Sequence, residues 1–153
     1  MKTTWPLRDC ARAADMKPRA LRQLFDTHIL KFRGDDKQST GTGVPVRLST
    51  NRAYEAAIVQ HLNRLGLPSS RAASAAFEFT ISGNAGRAAS HLFTHGKTLL
   101  AISPTGTKVQ NLFLDETLAA VSGGNVCTIT LDLNKIVERV DTSLKNQKAL
   151  ALI

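Results

Sequence analysis

The stretch DMKPRALRQLFDTHIL, from Asp15 to Leu30, joins a tight turn to a proline-started helix and an apolar exit. Proline lacks an amide hydrogen and has a fixed φ, so Pro18 suits the first turn of a helix. The spacing of Leu21, Leu24 and Phe25 predicts one buried face on that helix. The opposite face carries polar side chains, namely Lys17, Arg19, Arg22 and Gln23. A basic helix face of this kind is typical of a helix that reads DNA, but the solvated side of an ordinary amphipathic helix has the same pattern. The flanking sequence must decide between these two interpretations.

A shorter helix is predicted just before it, within PLRDCARAAD. Leu7, Cys10, Ala11 and Ala14 recur at i, i+3, i+4 and i+7, which gives one buried stripe. We expect the second helix to cover residues 18–26, so that two helices of about nine residues are joined by three or four. That arrangement is the outline of a helix-turn-helix.

The sequence after the second helix predicts a two-stranded ribbon. His28–Phe32 and Val44–Leu48 are apolar enough to pair as strands, while RGDDKQSTGTG between them is polar and holds three glycines. A two-stranded ribbon after a helix-turn-helix is a wing. Ser49 or Thr50 then caps a third helix, NRAYEAAIVQHLNRLG, for which Gly66 is the C-terminal stop.

The chain is predicted to divide after Pro68 into a winged helix-turn-helix domain, residues 1–68, and a small α/β domain, residues 69–153, which serves dimerisation or the sensing of an effector. In the second domain SSRAASAAFEFTISGNAGRAASHLF predicts two short helices broken at residues 83–86, and DETLAAVSGG predicts one helical loop. Three strands are predicted, in TLLAIS and TKVQNLFL around a turn at 103–106 and in NVCTITLDL. The predicted fold class is therefore α+β.

The composition is globular and strongly basic. The 153 residues are 42% hydrophobic and 21% charged, and 20 Lys and Arg against 12 Asp and Glu give a net charge of +8. Residues 1–68 carry 12 basic and 6 acidic side chains, a net charge of +6, so the excess lies in the predicted helix-turn-helix domain. A basic excess of this kind is typical of proteins that bind a polyanion.

The two cysteines and the apolar runs bear on the compartment. Cys10 and Cys127 form no zinc or redox pattern, and each is predicted to be a small buried residue in a reducing compartment. No apolar run approaches the roughly 18 residues of a membrane span. The N-terminus lacks the apolar core of a signal peptide, so we expect a cytoplasmic location.

Three blocks of residues carry a family resemblance: Leu7, Cys10 and Ala11; Met16, Pro18, Arg19, Leu21 and Arg22; and Arg47, Leu48, Leu65 and Gly66. In order and spacing they resemble the winged helix-turn-helix of the MerR family and the related excisionase-like domains. The resemblance covers about residues 5–68, less than half of the chain. It implies a DNA-binding domain whose second helix enters the major groove.

The chain departs from the family pattern at identifiable places. Asp15 stands where the family has a turn glycine, and Lys17 stands where it has an N-capping serine. After Pro68 no long dimerisation helix is predicted, and the sensor cysteines of the metal-responsive members have no counterpart. The resemblance therefore implies DNA binding and says little about metal sensing.

Each polar residue of the predicted domain has an expected role on double-stranded DNA, the predicted partner. Arg19 and Arg22 can each donate two parallel bonds to guanine, and Gln23 can read adenine. Lys17 is expected to contact a phosphate, as are four residues on or beside the wing: Lys31, Arg33, Lys37 and Arg47. Arg12 and Arg52 are weaker candidates for flanking phosphates.

No catalytic or metal-binding constellation is predicted. His91 and His95 are i, i+4, but no acidic or thiolate partner stands close to them in sequence. The turn Ser103–Gly106 lacks the lysine and the helix start of a phosphate-binding loop. We expect no cofactor, no metal and no enzymatic activity.

The predicted function is a sequence-specific regulator of transcription that binds DNA as a dimer. One alternative is a recombination or packaging factor that uses the same small fold, and a second is a protein–protein adaptor without DNA binding. The candidate dimer surface is the strand at 126–133 together with an apolar stripe on the C-terminal helix: Ile136, Val137, Val140 and Leu144. The alternative for this stripe is that it only covers the sheet of its own domain.

Overall fold

The computed structural model describes residues 3–39, 41, 43–112, 125 and 127–150. Over these residues helices and two small sheets alternate, so the predicted α+β class is confirmed. The helices are α1 (Leu7–Ala13), α2 (Pro18–Asp26), α3 (Thr50–Arg64), α4 (Ser69–Thr80) and α5 (Leu133–Leu150). The strands are β1 (Thr4–Pro6), β2 (Arg47–Ser49), β3 (Lys97–Ser103), β4 (Gly106–Leu112) and β5 (Ile129–Asp132).

The two predicted N-terminal helices are present, and α2 has the predicted bounds. The buried face of α2 consists of the three expected residues, Leu21, Leu24 and Phe25. On α1 Cys10 is buried as expected, and burial, with the nearby Asp9 carboxylate, raises the pKa of its thiol to about 12. The expectation for the other cysteine is wrong, because Cys127 is exposed.

The predicted strand at His28–Phe32 is absent. The first residue of this segment has a φ of +58°, and the Leu30 amide donates to the Leu24 carbonyl at 2.9 Å, so the chain turns back towards α2. The ring of Phe32 stacks on that of Phe25 with centroids 4.5 Å apart. The apolar residues that suggested a strand therefore cover the end of α2.

The second half of the predicted ribbon forms a strand with a different partner. In place of Val44–Leu48 the strand is β2, and it pairs antiparallel with β1 at the start of the chain, Trp5 opposite Leu48. Arg47 also forms an isolated bridge with Lys37, which lies in the predicted polar tip and not in the predicted partner strand. A strand of three residues is too short to show an alternating pattern, which is why the sequence did not reveal β1.

Helix α3 lies at the centre of the fold. Every residue from Arg52 to Val59 is buried, because α1, α4 and α5 all pack against this helix. Gly66, with a φ of +89°, ends it as predicted, since the left-handed conformation at a helix C-terminus favours glycine.

The second half of the chain contains an antiparallel sheet in the order β4-β3-β5. The β3-β4 hairpin turns at residues 103–106 as predicted, with Ser103 opposite Gly106. The third strand is shorter than predicted at both ends, because it begins only at Ile129 and Leu133 already belongs to α5. The predicted helical loop at 115–124 lies outside the described residues, as does Val126 of the third strand.

Only the first of the two helices predicted before the sheet is present, as α4. No residue from 81 to 96 is helical. Instead the buried guanidinium of Arg87 holds this segment, donating to five backbone carbonyls: Glu78, Phe79, Ser82, Ala88 and His91. These bonds hold the segment as an irregular connection against the end of α4.

Most of the apolar stripe of α5 is buried within the chain. Ile136 is 7% exposed, and Val140 and Leu144 are each 1% exposed. They pack against α1, α3 and β3. Val137, the fourth residue of the predicted stripe, is half-buried. The three buried residues therefore cover the chain's own core and are not available as the predicted dimer surface.

The hydrophobic core is continuous across the predicted boundary at Pro68. One cluster of buried residues runs from α1 and α2 through α3 to α4, β3 and α5. The proposed division at residue 68 therefore cuts a shared core. None of the helices in the described part of the chain combines the length and the apolar composition that a membrane span requires.

Candidate nucleic-acid interface

The outer face of α2 presents Arg19, Arg22, Gln23 and Asp26, which follow the i, i+3, i+4, i+7 spacing of one helix face. All four side chains are exposed. No described residue forms an ion pair or a side-chain hydrogen bond with Arg19 or Arg22. Because Asp26 occupies the C-terminal end, positive charge is concentrated in the first two turns of the helix.

The N-terminus of α2 lacks a side-chain cap. Lys17 occupies the N-cap position with extended backbone angles, and its side chain makes no capping hydrogen bond. The first-turn amide hydrogens of a helix have no partner within the helix. An anion placed there meets these amides and the positive end of the helix dipole together.

A basic groove of about 730 Å³ opens beside this helix start. Its lining comprises Arg8, Arg12, Asp15, Met16, Lys17, Pro18, Gln60 and Arg64, which is four cations against one carboxylate. The residues come from α1, from the α1–α2 turn and from the last turn of α3. The groove is continuous with the outer face of α2 through Lys17 and Pro18.

The turn between α1 and α2 is held by α3. Asp15 has a φ of +55°, the left-handed conformation for which glycine is the usual residue. Its carbonyl accepts from Gln60 Nε2 at 3.0 Å, and its carboxylate pairs with Arg64 Nη2 at 2.9 Å. The ion pair with Arg64 is a contact that a glycine at this position could not make.

The sequence did not reveal Arg8 and Arg64 as members of this surface. Arg8 is four residues before Arg12 on α1, so helical spacing alone could have grouped that pair. Arg64 is distant in sequence, and only the packing of α3 under the turn brings it into the groove.

The four residues predicted to serve the wing separate into two kinds. Lys31 and Lys37 are exposed. The Arg47 guanidinium is bound to Thr4, donating from Nε to the hydroxyl at 3.2 Å and from Nη2 to the carbonyl at 2.6 Å. Arg33 lies 3.8 Å from the Glu55 carboxylate and stacks over the Phe77 ring at 5.3 Å. The two arginines therefore stabilise the fold.

An interior network of Arg33, Asp36, Arg52, Glu55 and Thr80 links this loop to α3 and α4. Arg52 is 2% exposed and hydrogen-bonds to Glu55, whose side chain is fully buried. Burial raises the pKa of Glu55 and lowers that of Arg52, and their pairing opposes both shifts. The expectation that Arg52 contacts a flanking phosphate is wrong, because no phosphate can reach it.

Asp36 anchors the loop between α2 and β2 from inside. Its carboxylate accepts from the Arg33 amide at 2.8 Å and from the Ser49 amide at 2.7 Å. It also lies 3.8 Å from Arg52.

In the part of the chain that the structure describes, no group of three or more His, Cys, Asp or Glu is placed to hold a metal ion.

Comparison of the chain with models of protein families and with curated proteins gives no match.

Proposed function

We propose that this chain binds double-stranded DNA through the outer face of α2 and the basic groove beside it. The observation that carries the proposal is the set of unpaired cations at one helix start. Among the described residues, Arg12, Lys17, Arg19 and Arg22 have exposed side chains without an ion-pair partner. Of the other arginines of the same half, Arg33, Arg47 and Arg52 are bound to protein groups within the fold. Arg8 and Arg64 are ion-paired with Asp9 and Asp15 but keep much of their side chains exposed.

The chemistry of the outer face suits the major groove. A recognition helix contacts base edges with its N-terminal residues, which on α2 are the basic ones. Arg19 and Arg22 can each form two parallel hydrogen bonds to guanine, and Gln23 can do so to adenine. Asp26, at the far end of the face, can accept from the cytosine amino group.

The basic groove is suited to the DNA backbone. Arg8, Arg12 and Lys17 offer charge-assisted hydrogen bonds, and the first-turn amides of α2 offer backbone donors. Such contacts give affinity and fix the position of the helix, but they carry no sequence information. Arg64 has a second role, because it also fixes the turn through Asp15.

Within this proposal the chain is a sequence-specific regulator of transcription in the cytoplasm, with a MerR-like helix-turn-helix. The helix pair α1–α2 supports that resemblance, whereas the ribbon differs from the predicted wing. Dimer formation is part of the same proposal. It requires a surface other than the stripe of α5, since three residues of that stripe are buried within the chain.

The experiment is a selection of binding sites from random duplex DNA with the full chain. We expect one enriched sequence, to which Arg22→Ala binds with lower affinity and with relaxed preference at one position. The matched control is Lys145→Ala, which removes an exposed cation from α5 and should leave both unchanged. A protein–protein adaptor would give no enriched sequence and would lack retention on heparin or random DNA that falls steeply with salt.

Mapping the enriched sequence on a genome then separates the two DNA-binding alternatives. A regulator requires sites at promoters. A recombination or packaging factor requires clustered repeats at an attachment or packaging site.

A further inference from the structure

A second cavity lies at the opposite end of α3 from the basic groove. It has a volume of about 720 Å³, within the range of small-molecule sites. Its walls are the start of α3, the segment at 89–92 after α4, and the middle of α5 around Asp141. Both halves of the chain therefore contribute to it.

The polar groups of this cavity have the opposite charge to the rest of the molecule. Among the described residues that line it are two carboxylates, Asp35 and Asp141, and no lysine or arginine. This is notable in a chain with a net charge of +8. Asp35 has an interaction partner of its own, so Asp141 is the carboxylate that remains for an occupant. The other polar groups of the described lining are hydroxyls, one amide and the imidazole of His91, the hydroxyls and the amide belonging to Thr3, Ser49, Thr50, Asn51, Tyr54, Thr80 and Ser90. The combination suits a cationic group that is attached to a hydroxylated body.

The Asp141 carboxylate is held in place by Tyr54. The Tyr54 hydroxyl donates to Asp141 Oδ1 at 2.7 Å, and its ring packs on Phe79 with centroids 6.1 Å apart. Burial and the neighbouring carboxylate raise the pKa of Tyr54, so the hydroxyl remains a donor. No other described residue hydrogen-bonds to Asp141, which leaves its second oxygen for an occupant.

Two further groups are oriented before any ligand arrives. Thr50 Oγ1 accepts a hydrogen bond from Trp5 Nε1 at 3.1 Å, so the hydroxyl hydrogen of Thr50 points away from Trp5. Ser90 has a φ of +63°, which L-residues rarely adopt, and is held there by bonds to the carbonyls of Phe79 and Thr80. Strained residues of this kind cluster at binding and catalytic sites.

We propose that this cavity binds a small hydroxylated amine of about amino-sugar size, with its ammonium group on Asp141 and its hydroxyl groups on the start of α3 and on Ser90. The proposal does not depend on DNA binding, because none of these residues belongs to the basic groove or to the outer face of α2. Either proposal can fail without the other.

The test is a titration of the full chain, in which the amide resonances of its NMR spectrum report binding. The probes are glucosamine, galactosamine and mannosamine, each matched with its neutral N-acetyl derivative. We expect saturable shifts at residues 49–51, 90–92 and 137–141 with at least one amine and none with its neutral match. Shifts with no amine, or equal shifts with the neutral compounds, would overturn the proposal.

Two variants assign the binding to Asp141. Asp141→Asn keeps an acceptor for Tyr54 but removes the charge, and it should weaken binding of the amine by about tenfold or more, that is by about 1.4 kcal/mol. Glu138→Gln removes an equal charge from the exposed side of α5 and should have no effect. Asn51→Lys places a tethered ammonium in the cavity and should abolish binding even if Asp141→Asn fails to fold. Unchanged affinity in Asn51→Lys would also overturn the proposal.

Discussion

Arginine side chains have opposite roles on the outer face of α2 and in the interior network. On the outer face of α2, Arg19 and Arg22 have no protein partner in the described part of the chain. In the interior network, Arg33 and Arg52 face Glu55 and Asp36. The two regions lie within about forty residues of one sequence and have the same basic character. The difference shows that the position of a partner, and not the charge itself, decides whether an arginine is available to a ligand.

The cost of removing an arginine should differ accordingly. A buried charge whose partner is deleted becomes an uncompensated charge, which destabilises a fold strongly. An exposed cation without a partner contributes little to the free energy of unfolding. Replacing an arginine by alanine should therefore lower the free energy of unfolding in the interior network and the DNA affinity on the outer face of α2.

The largest expected effect is that of Arg52→Ala on stability. The change leaves Glu55 fully buried without its principal cation, and we expect the free energy of unfolding to fall by about 3–5 kcal/mol. Urea denaturation measures it. Arg19→Ala is the matched control and should change stability by less than about 0.5 kcal/mol. Equal losses in the two variants would remove the distinction between the regions.

The next effect is that of Arg19→Ala or Arg22→Ala on DNA affinity. If each side chain contacts a base, its removal should cost about 1–3 kcal/mol at the selected site and relax the preference at one position. Titration of labelled duplex DNA measures both quantities. Wild-type affinity in both single variants would place recognition outside the outer face of α2.

Lys17→Ser should separate stability from binding at one residue. Serine at the N-cap position accepts from a first-turn amide, so the variant should gain about 1 kcal/mol of stability. It should also lose one phosphate contact and lower the slope of log affinity against log salt by about 0.9. A variant that is more stable yet binds with an unchanged slope would exclude Lys17 from the interface.

The smallest expected effects are those of the exposed lysines near the loop. If Lys31 and Lys37 touch phosphates, each alanine substitution lowers the salt slope by about 0.9 on any sequence. Arg33→Ala should instead lower stability, because Arg33 contacts Glu55 and Phe77. Unchanged slopes for both lysines would confine the interface to α1, α2 and the last turn of α3.

The helix pair could be predicted from the sequence because its signals are local. Pro18 sets the start of α2, and the spacing of Leu21, Leu24 and Phe25 sets its buried face. The ribbon could not be predicted in the same way. Leu30 and Phe32 are apolar for a tertiary reason, since they cover α2, and an apolar segment of five residues looks the same in either role.

The interior network and the basic groove depend on contacts between distant residues. Arg52 and Arg12 look alike in the sequence, since both are basic residues within predicted helices. Arg52 belongs to the interior because it pairs with Asp36 and Glu55. No described residue pairs with the side chain of Arg12. Likewise, Arg64 lines the groove only because its ion pair with Asp15 holds it there.

The most direct test is the salt dependence of DNA affinity in two triple variants. The first, Arg8→Ala/Arg12→Ala/Lys17→Ala, removes three cations of the basic groove, and the second, Lys135→Ala/Lys145→Ala/Lys148→Ala, removes three exposed cations of α5. Both lower the net charge equally. We predict that the slope of log affinity against log salt falls by about 2.7 in the first and stays at the wild-type value in the second. Equal slopes in the two variants would contradict a DNA interface at the basic groove.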